Sequence, residues 1–382
     1  MKDIMKRIDQ LEKEYIDFWI DISNIESPTN YKEGVDRVGS YICEKAKQRD
    51  WEIEICEQNI SGNAICITMN PESKKAPICF SGHMDTVHPI GLFGEKPVKV
   101  DNEKIYGPGV ADCKGGIVSS FLAMAALEDC GYEERPIRLI LQSDEETSSQ
   151  GSNKETLRFM CEKARGSIAF LNAEPRSTAR LVVGRKGILH YKVEVTGKAM
   201  HAARCHMGAS AICQAAHIIT ELEKMKDGEG ITCNCGVISG GTTSNTVPET
   251  CTFYVDVRFA SHGQMKEAKR RVEEIASNVY VEGTHTKLVL ENDRIAMERT
   301  DKNKALFDKM NTLFAENGLP VYDSLFAGGG ADSAYTTEVG IPTLCSMGVL
   351  GENFHNRDEA AELSSLTLSA KMLAMSICLE TF

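Results

Sequence analysis

The sequence lacks a long apolar run. Its longest apolar stretch, residues 117–127, spans 11 residues and includes two serines, whereas a membrane span needs ~20. The first residues carry a charge at nearly every second position, and no apolar segment follows them. The sequence therefore predicts neither a membrane association nor a secretory signal.

Blocks of positive charge are also missing. The 382 residues include 43 Lys and Arg against 55 Asp and Glu, which gives a formal net charge of −12. Binding to nucleic acid needs clustered Lys and Arg side chains for the phosphates, so a nucleic-acid partner is not expected. A surplus of negative charge is compatible with solubility and with bound cations.

The 14 cysteines are scattered and form no CxxC pair. A chain of this length does not need disulfide bonds for stability, because it can bury a large apolar core. The sequence therefore predicts reduced, mostly buried thiols and a cytoplasmic location.

Apolar periodicity predicts an α/β protein. Apolar residues at three- and four-residue intervals predict an N-terminal helix that ends near residue 27, and residues 115–129 form a second helical stretch. Between and after them lie runs of strand length, at residues 64–69, 76–81, 138–143 and 167–173. Alternating strands and helices indicate a sheet covered by helices.

The pattern changes after residue 187. Strands are predicted at 187–196, 231–239, 250–259 and 286–291, and helices at 209–226 and 264–279. The order β-α-β-β-α-β is that of a ferredoxin-like unit. The sequence therefore predicts a domain at 187–296 that is inserted between two parts of a larger α/β domain, 1–186 and 297–382.

Five short segments place His, Asp or Glu beside glycines or at strand ends. In SGHMDT (81–86), His83 and Asp85 are two apart, so in a strand they face the same side. The Asp85 carboxylate can then bind one imidazole nitrogen of His83 while the other nitrogen binds a metal.

Two further segments are ambiguous by themselves. In GPGVADCKGG (107–116), Asp112 stands where a glycine-rich loop enters a helix, a position that also favours an N-cap. In QSDEET (142–147), three adjacent acids repel one another unless a cation or solvent relieves them, so a solvated loop remains an alternative.

Glu174 follows the apolar run 168–171, and His355 lies in the segment FHN (354–356). Each is weak evidence alone. Together, however, the five segments supply two histidines and several carboxylates, and ligand sites in open α/β sheets gather at the carboxyl ends of strands. Such a donor set suits a borderline cation such as Zn²⁺.

These motifs, in this order, resemble the dinuclear zinc exopeptidase and amidohydrolase family. It includes glutamate carboxypeptidase, succinyl-diaminopimelate desuccinylase, acetylornithine deacetylase and aminoacylase. The resemblance covers nearly the whole chain, and DEE (144–146), AEP (173–175) and GGGADSAY (328–335) are most similar to the glutamate carboxypeptidase branch. It implies a zinc-exopeptidase-type α/β catalytic domain with an inserted ferredoxin-like α+β lid and dimerisation domain.

The resemblance also implies the metal ligands. Asp112 would bridge two Zn²⁺ ions, with Co²⁺ or Mn²⁺ as possible substitutes. His83 and Glu174 would complete one site, and Glu146 and His355 the other. A cis peptide bond after the bridging residue, Asp112–Cys113, is a further expectation.

Roles in catalysis and substrate binding follow from the same resemblance. Glu145 would be the general base, Asp85 would orient His83, and His201 would stabilise the oxyanion in the partner subunit of a homodimer. The residues expected to hold the substrate are Asn245, Arg258, Gly329 and Gly330.

The expected activity is metal-dependent hydrolysis of an amide bond in a small peptide or N-acyl amino acid with a free carboxylate, by a carboxypeptidase-type exopeptidase. A desuccinylase or deacetylase of N-acyl amino acids and a di- or tripeptidase are the alternatives with the same chemistry. An alternative of another class is a catalytically silent binding protein.

Overall fold

A computed structural model describes residues 1–227 and 230–380, so residues 228–229 of the predicted insert and 381–382 of the last segment lie outside the described residues. The chain divides into two compact units. The first comprises Met1–Gly184, Arg299–Phe326 and Ala331–Phe382, and the second comprises Arg185–Glu298 with Ala327–Gly330. Residues 327–330 were predicted within 297–382, but they group with the second unit, where the Arg185 guanidinium contacts their backbone.

The helices of the described residues, in chain order, are α1 (Lys2–Asn24), α2 (Lys32–Lys47), α3 (Gly116–Asp129), α4 (Glu155–Ala164), α5 (Ala211–Leu222), α6 (His262–Ser277), α7 (Asp301–Glu316), α8 (Ser333–Glu338) and α9 (Ser364–Ala374). Shorter helical turns lie at Val110–Gly115, Glu145–Thr147, Ala202–Met207 and Met375–Cys378.

The strands are β1 (Glu52–Cys56), β2 (Ala64–Met69), β3 (Ile78–His83), β4 (Lys99–Val100), β5 (Lys104–Tyr106), β6 (Ile137–Gln142), β7 (Ala169–Asn172), β8 (Arg180–Arg185), β9 (Gly187–Thr196), β10 (Met200–His201), β11 (Thr232–Gly240), β12 (Thr246–Val247), β13 (Thr250–Phe259), β14 (His285–Arg294), β15 (Asp323–Ala327), β16 (Thr343–Leu344), β17 (Gly351–Glu352) and β18 (Ala360–Glu362).

The first unit is built on a six-stranded sheet of order β1-β2-β6-β3-β7-β16. Strands β6, β3, β7 and β16 run parallel, and β1 and β2 pair antiparallel at one end. The parallel strands are buried along nearly their whole length, as expected where helices cover both faces. Two smaller sheets, β17-β18-β5-β4 and β15-β8, lie wholly or mainly in the same unit.

Side-chain alternation along the strands divides the core of this unit in two. One face of the sheet carries Ile65, Phe80 and Leu139 and packs against the larger apolar cluster, which includes α1, α3 and α9. The opposite face carries Cys66 and Phe170 and packs against α4. The layers are therefore helix, sheet and helix.

Helix α3 lies at the centre of the larger cluster. With the turn before it, Val110–Asp129 is long and apolar enough by length and composition to span a membrane, but 94% of its most apolar window is buried inside the protein. It is a core helix that packs against α1 and α9.

The second unit is a four-stranded antiparallel sheet of order β11-β13-β9-β14. With α5 after β9 and α6 after β13, this is the strand order of a ferredoxin-like fold, as predicted. Strand β9 alternates buried and half-buried residues, and its buried face packs with α5 and α6.

Candidate metal centre and substrate-binding residues

Candidate ligands lie at or just after the carboxyl ends of three parallel strands, at one edge of the first unit's sheet. Strand β3 ends at His83, β6 ends just before Glu145 and Glu146, and β7 ends just before Glu174. Because β6 and β7 both pair parallel with β3, their carboxyl ends meet.

Asp112 reaches the same place from the turn that precedes α3. Its Oδ1 lies 3.0 Å from His83 Nε2, and its Oδ2 lies 3.4 Å from His355 Nε2. Asp112 lies inside the turn Val110–Gly115, and the N-cap residues of that turn and of α3 are Gly109 and Gly115, so the N-cap alternative is wrong. The peptide bond Asp112–Cys113 is cis, as the resemblance implied.

The remaining separations fit a small divalent cation. Glu174 Oε1 lies 3.8 Å from His83 Nε2, and Glu146 Oε2 lies 3.3 Å from His355 Nε2. Tetrahedral zinc with bonds of about 2.0–2.1 Å requires ligand atoms about 3.3 Å apart. The two Asp112 oxygens thus face two different His–Glu pairs, and this donor set can hold a metal on either side of Asp112.

The candidate ligands differ in exposure. Exposed fractions of the side chains are 2% for His83, 13% for Asp112, 7% for Glu146 and 11% for Glu174, against 54% for His355. Within the first unit, the centre is therefore open to solvent on the side of His355.

Asp85 positions His83 differently from the prediction. Strand β3 ends at His83, so the two residues do not share a strand face. His83 Nδ1 lies 3.0 Å from the backbone carbonyl oxygen of Asp85 and 3.4 Å from its carboxylate. The proton on Nδ1 is therefore held mainly by the backbone, which leaves Nε2 as the ligand atom.

The Asp85 carboxylate instead organises the acidic turn. Its Oδ1 accepts the N–H of Glu145 and its Oδ2 accepts the N–H of Glu146, each at 3.2 Å. Thr29 donates its hydroxyl to Oδ2 at 2.7 Å. Asp85 is fully buried and Glu145 is 7% exposed, so the acidic segment is not a solvated loop.

The pKa values reflect the crowding of charge. Burial opposes the ionisation of Asp112, but bonds to His355 and His83 hold its pKa well below the usual range. The bonds from Asp112 and Glu146 raise the pKa of His355 to about 11. Burial raises the pKa of Glu146 to about 7, against the effect of His355. Protons would therefore compete with a cation for the ligand atoms of Glu146 and His355.

Cys113 lies within 4.8 Å of ligand atoms of His83 and Glu174. Its Sγ donates to the carbonyl oxygen of Ala173 at 3.2 Å, and burial raises the pKa of the thiol well above its usual value. The hydrogen bond directs the thiol proton of Cys113 to the backbone of Ala173.

The second unit brings two predicted residues, His201 and Asn245, together. Strands β10 and β12 pair so that His201 lies opposite Thr246, and the N–H of Ala202 donates to the carbonyl oxygen of Asn245 at 2.8 Å. Residues 201–207 and 241–245, which include His201 and Asn245, are exposed to solvent within this unit. The His201 ring accepts the N–H of Ala203 at its Nδ1, 3.1 Å away. The ring proton of neutral His201 is therefore on Nε2, where it is available for donation.

Arg258 is held by its neighbour Asp256 on β13. Its Nε and Nη2 lie 2.6 and 2.7 Å from the two carboxylate oxygens, and His190 Nε2 lies 2.9 Å from the same carboxylate. These bonds hold the pKa of Asp256 at about 2, although burial opposes them. Asp256 thus occupies the edge of the guanidinium that carries Nε and Nη2, and Nη1 lies outside this pairing.

The glycine loop, residues 328–330, is lined by arginines of the same unit. Arg185 Nη1 lies 3.3 Å from the carbonyl oxygen of Gly329, and Arg258 Nη1 lies 3.5 Å from that of Gly328. A Cβ on Gly330 would lie 2.6 Å from the side chain of Arg294. Sequence reasoning missed Arg294, which ends β14 and belongs to no motif; its proximity to the loop follows only from the fold.

Known proteins are similar to this chain in sequence and in fold. Residues 183–284 match the M20 peptidase dimerisation domain. The chain is 28% identical over 362 residues to carboxypeptidase G2 of Pseudomonas sp. strain RS-16, covering 93% of this chain and 86% of the relative. It is 26% identical over 378 residues to succinyl-diaminopimelate desuccinylase of Rickettsia felis, and the match covers 92% of this chain and 96% of that relative.

The fold matches a solved structure of an M20 family metallo-carboxypeptidase, Sso-CP2 from Sulfolobus solfataricus. The TM-score is 0.77 at 16% identity, over 96% of this chain and 100% of the other. The sequence relatives and the clustered candidate ligands together indicate a metal-dependent hydrolase. These similarities to M20 peptidases confirm the resemblance that the motifs indicated.

Proposed function

We propose that this protein is a dinuclear zinc exopeptidase of the carboxypeptidase type, which hydrolyses the amide bond of a small peptide or N-acyl amino acid. The observation that carries the proposal is the Asp112 carboxylate, whose two oxygens face the His83–Glu174 pair and the His355–Glu146 pair. The 28% identity to carboxypeptidase G2 supports the choice of branch.

His83, Asp112 and Glu174 would hold one Zn²⁺ ion, and Asp112, Glu146 and His355 the other. When bound, such ions polarise a carbonyl group and lower the pKa of water towards ~7. Co²⁺ or Mn²⁺ are possible substitutes, because the same nitrogen and oxygen donors accept them.

Glu145 would act as the general base. It precedes the ligand Glu146, and the Asp85 carboxylate holds the backbone of both residues. Glu145 would take a proton from the attacking water and pass it to the leaving amine. His201 would donate its Nε2 proton to the developing oxyanion, a role that suits a ring whose Nδ1 already accepts a backbone N–H.

Asn245, Arg258, Gly329 and Gly330 would bind the free carboxylate of the substrate. The arginines that line residues 328–330 support this assignment, because guanidinium groups favour carboxylates and Asp256 fixes the orientation of Arg258.

Arg258→Lys tests the carboxylate site. Lysine keeps the charge but lacks the planar fork that pairs side-on with Asp256 while Nη1 remains for a second carboxylate, and a lost charge-assisted bond costs about 1.5–3 kcal/mol. We expect KM to rise about 10- to 100-fold, with a smaller change in kcat. An unchanged KM would contradict the assignment. Arg270→Gln, on the exposed surface of α6, is the control.

The function is tested by amino-acid release from a panel of substrates, with and without a chelator. The panel contains N-acetyl, N-succinyl and N-benzoyl amino acids, dipeptides, and peptides that end in Glu or Asp. We expect chelator-sensitive release of a C-terminal residue that returns when metal is restored. If the metal-bound protein released no amino acid from any substrate of the panel, the proposed activity would be rejected.

An N-acyl amino acid deacylase is the second candidate, and the 26% identity to a succinyl-diaminopimelate desuccinylase favours it over a di- or tripeptidase. Preference for succinylated or acetylated substrates over peptides would select it. A catalytically silent binding protein would bind metal and peptide without turnover.

A homodimer is the expected assembly, and the match to a dimerisation domain supports it. Strand β11 is an edge of the second unit's sheet, and its outer half is exposed, with Val237 59% and Ile238 53% accessible. Exposed apolar edge strands pair readily with another chain. A cytoplasmic location remains a prediction.

Val237→Lys tests the dimer. A charge on the apolar edge should oppose pairing through β11 and shift the protein to monomer in light scattering. Because His201 is proposed to act on the partner's substrate, activity should fall with the dimer fraction. Leu290→Lys, on the opposite edge strand β14, is the control. A fully active wild-type monomer would contradict the proposal.

A further inference from the structure

Glu359 is a buried carboxylate that lies outside the five ligands and the proposed base. It precedes β18 in the first unit and is 1% exposed. It gave no sequence signal, because its partners lie about 250 residues earlier in the chain. Burying a carboxylate is costly unless hydrogen bonds satisfy its oxygens.

Four donors meet this carboxylate. Oε1 accepts the backbone N–H of Ala111 at 2.9 Å and that of Asp112 at 3.0 Å. Oε2 accepts the N–H of Gly109 at 3.3 Å and lies 2.8 Å from His88 Nε2. An ionised carboxylate offers about four acceptor sites, so these contacts use its full capacity.

Three of the four donors belong to the loop that carries Asp112. One carboxylate therefore spans residues 109–112 and holds the backbone N–H of the proposed bridging ligand itself. The indole of Trp19 holds the same loop from another side, through the carbonyl oxygen of Val110 at 2.9 Å. The hydrogen bond from the N–H of Asp112 to Glu359 Oε1 restrains the orientation of the peptide group next to the Asp112 side chain.

His88 completes the arrangement from a different segment of the chain. It is 4% exposed, and its ring packs edge-on against Phe93 with centroids 5.1 Å apart. Its Nε2 supplies the only side-chain donor to Glu359 among the hydrogen bonds seen in residues 1–227 and 230–380. His88 thus fixes the carboxylate whose other contacts are backbone groups.

We propose that Glu359, oriented by His88, is a positioning residue that presets Asp112 for metal binding. The inference rests on the proposed function, in which Asp112 is the shared ligand. In this role Glu359 acts through the backbone of the loop, because its side-chain hydrogen bonds within the described residues are to three backbone N–H groups and His88. Residues that orient ligands in this way typically change metal affinity by about 10- to 100-fold when replaced.

Glu359→Gln is the first test. Glutamine has nearly the same shape, but one oxygen becomes an NH₂ group that cannot accept a hydrogen bond. We expect zinc affinity, measured on metal-free protein by competition with a chromophoric chelator, to fall about 10- to 100-fold. Excess zinc should restore most of the amide hydrolysis, because all ligands and Glu145 remain.

His88 provides a second pair of variants. His88→Phe removes the donor and should weaken zinc binding in the same direction, whereas His88→Gln keeps an N–H donor and should preserve most of the affinity. Glu128→Gln is the control, since this carboxylate accepts bonds from Trp51 and Arg49 at the far end of α3. It should lower thermal stability without changing zinc affinity.

The outcomes separate the inference from the proposed function. A wild-type protein that binds no zinc would overturn both. Wild-type binding with unchanged affinity in Glu359→Gln would overturn the positioning role alone. A loss of thermal stability equal to that of Glu128→Gln, with unchanged zinc affinity, would show that Glu359 is only structural.

Discussion

Asp112→Asn should remove bound metal and reduce amide hydrolysis to background. Both proposed ions share the Asp112 carboxylate, so each loses a charged ligand when the side chain becomes a neutral amide. Its NH₂ group would also face one of the two imidazoles, His83 or His355. Metal-ion catalysis supplies several kcal/mol, so the loss in kcat/KM should reach about 10³-fold or more.

Metal content by elemental analysis and turnover on the best substrate of the panel are the measurements. Asp101→Asn is the matched control, because Asp101 is exposed and accepts bonds only from its own turn and Tyr106 among the contacts of the described residues. Full metal content with full turnover in Asp112→Asn would contradict the metal site.

Glu145→Gln should keep its bound metal, unlike Asp112→Asn, but should lose most of its amide hydrolysis, as Asp112→Asn does. The backbone N–H of residue 145 still donates to Asp85, and all five proposed ligands remain. A general base contributes about 10²- to 10⁴-fold, so kcat should fall by that factor. KM and metal content should change little, because the amide keeps the shape of the side chain.

Glu155→Gln is a suitable control, since Glu155 is exposed and pairs only with Arg158 among the ion pairs of the described chain. Its kcat should equal that of the wild type. Turnover retained in Glu145→Gln, with metal bound, would reject Glu145 as the base. Turnover lost together with metal would mean that Glu145 supports the metal site rather than proton transfer.

Sequence patterns predicted the strands best where side chains alternate or run continuously apolar. Strands β2, β9 and β13 have the predicted bounds. Strand β3 was predicted at 76–81 but lies at Ile78–His83, because residue 77 is a proline without an N–H and the parallel register begins at Ile78. This shift of two residues is what places His83 at the end of the strand.

The site was predictable where ligands are adjacent to strand ends and unpredictable where contacts join distant segments. His83, Glu146 and Glu174 stand at or just after the ends of predicted strands, but the assignment of all five residues as ligands came from the family resemblance. No local pattern links Thr29 to Asp85, or Glu359 to the Asp112 loop. Such contacts depend on how the loops cross at the edge of the sheet.

The insertion of the second unit also sets an order of synthesis. Its main segment, Arg185–Glu298, leaves the ribosome before Arg299–Phe326 and Ala331–Phe382 of the first unit. Until then the nascent first unit lacks His355, β16 and helix α9, so the apolar helix α3 is still without one of its packing partners. Domains generally fold as units as they emerge, so we expect the second unit to fold while α3 still lacks its contacts with α9.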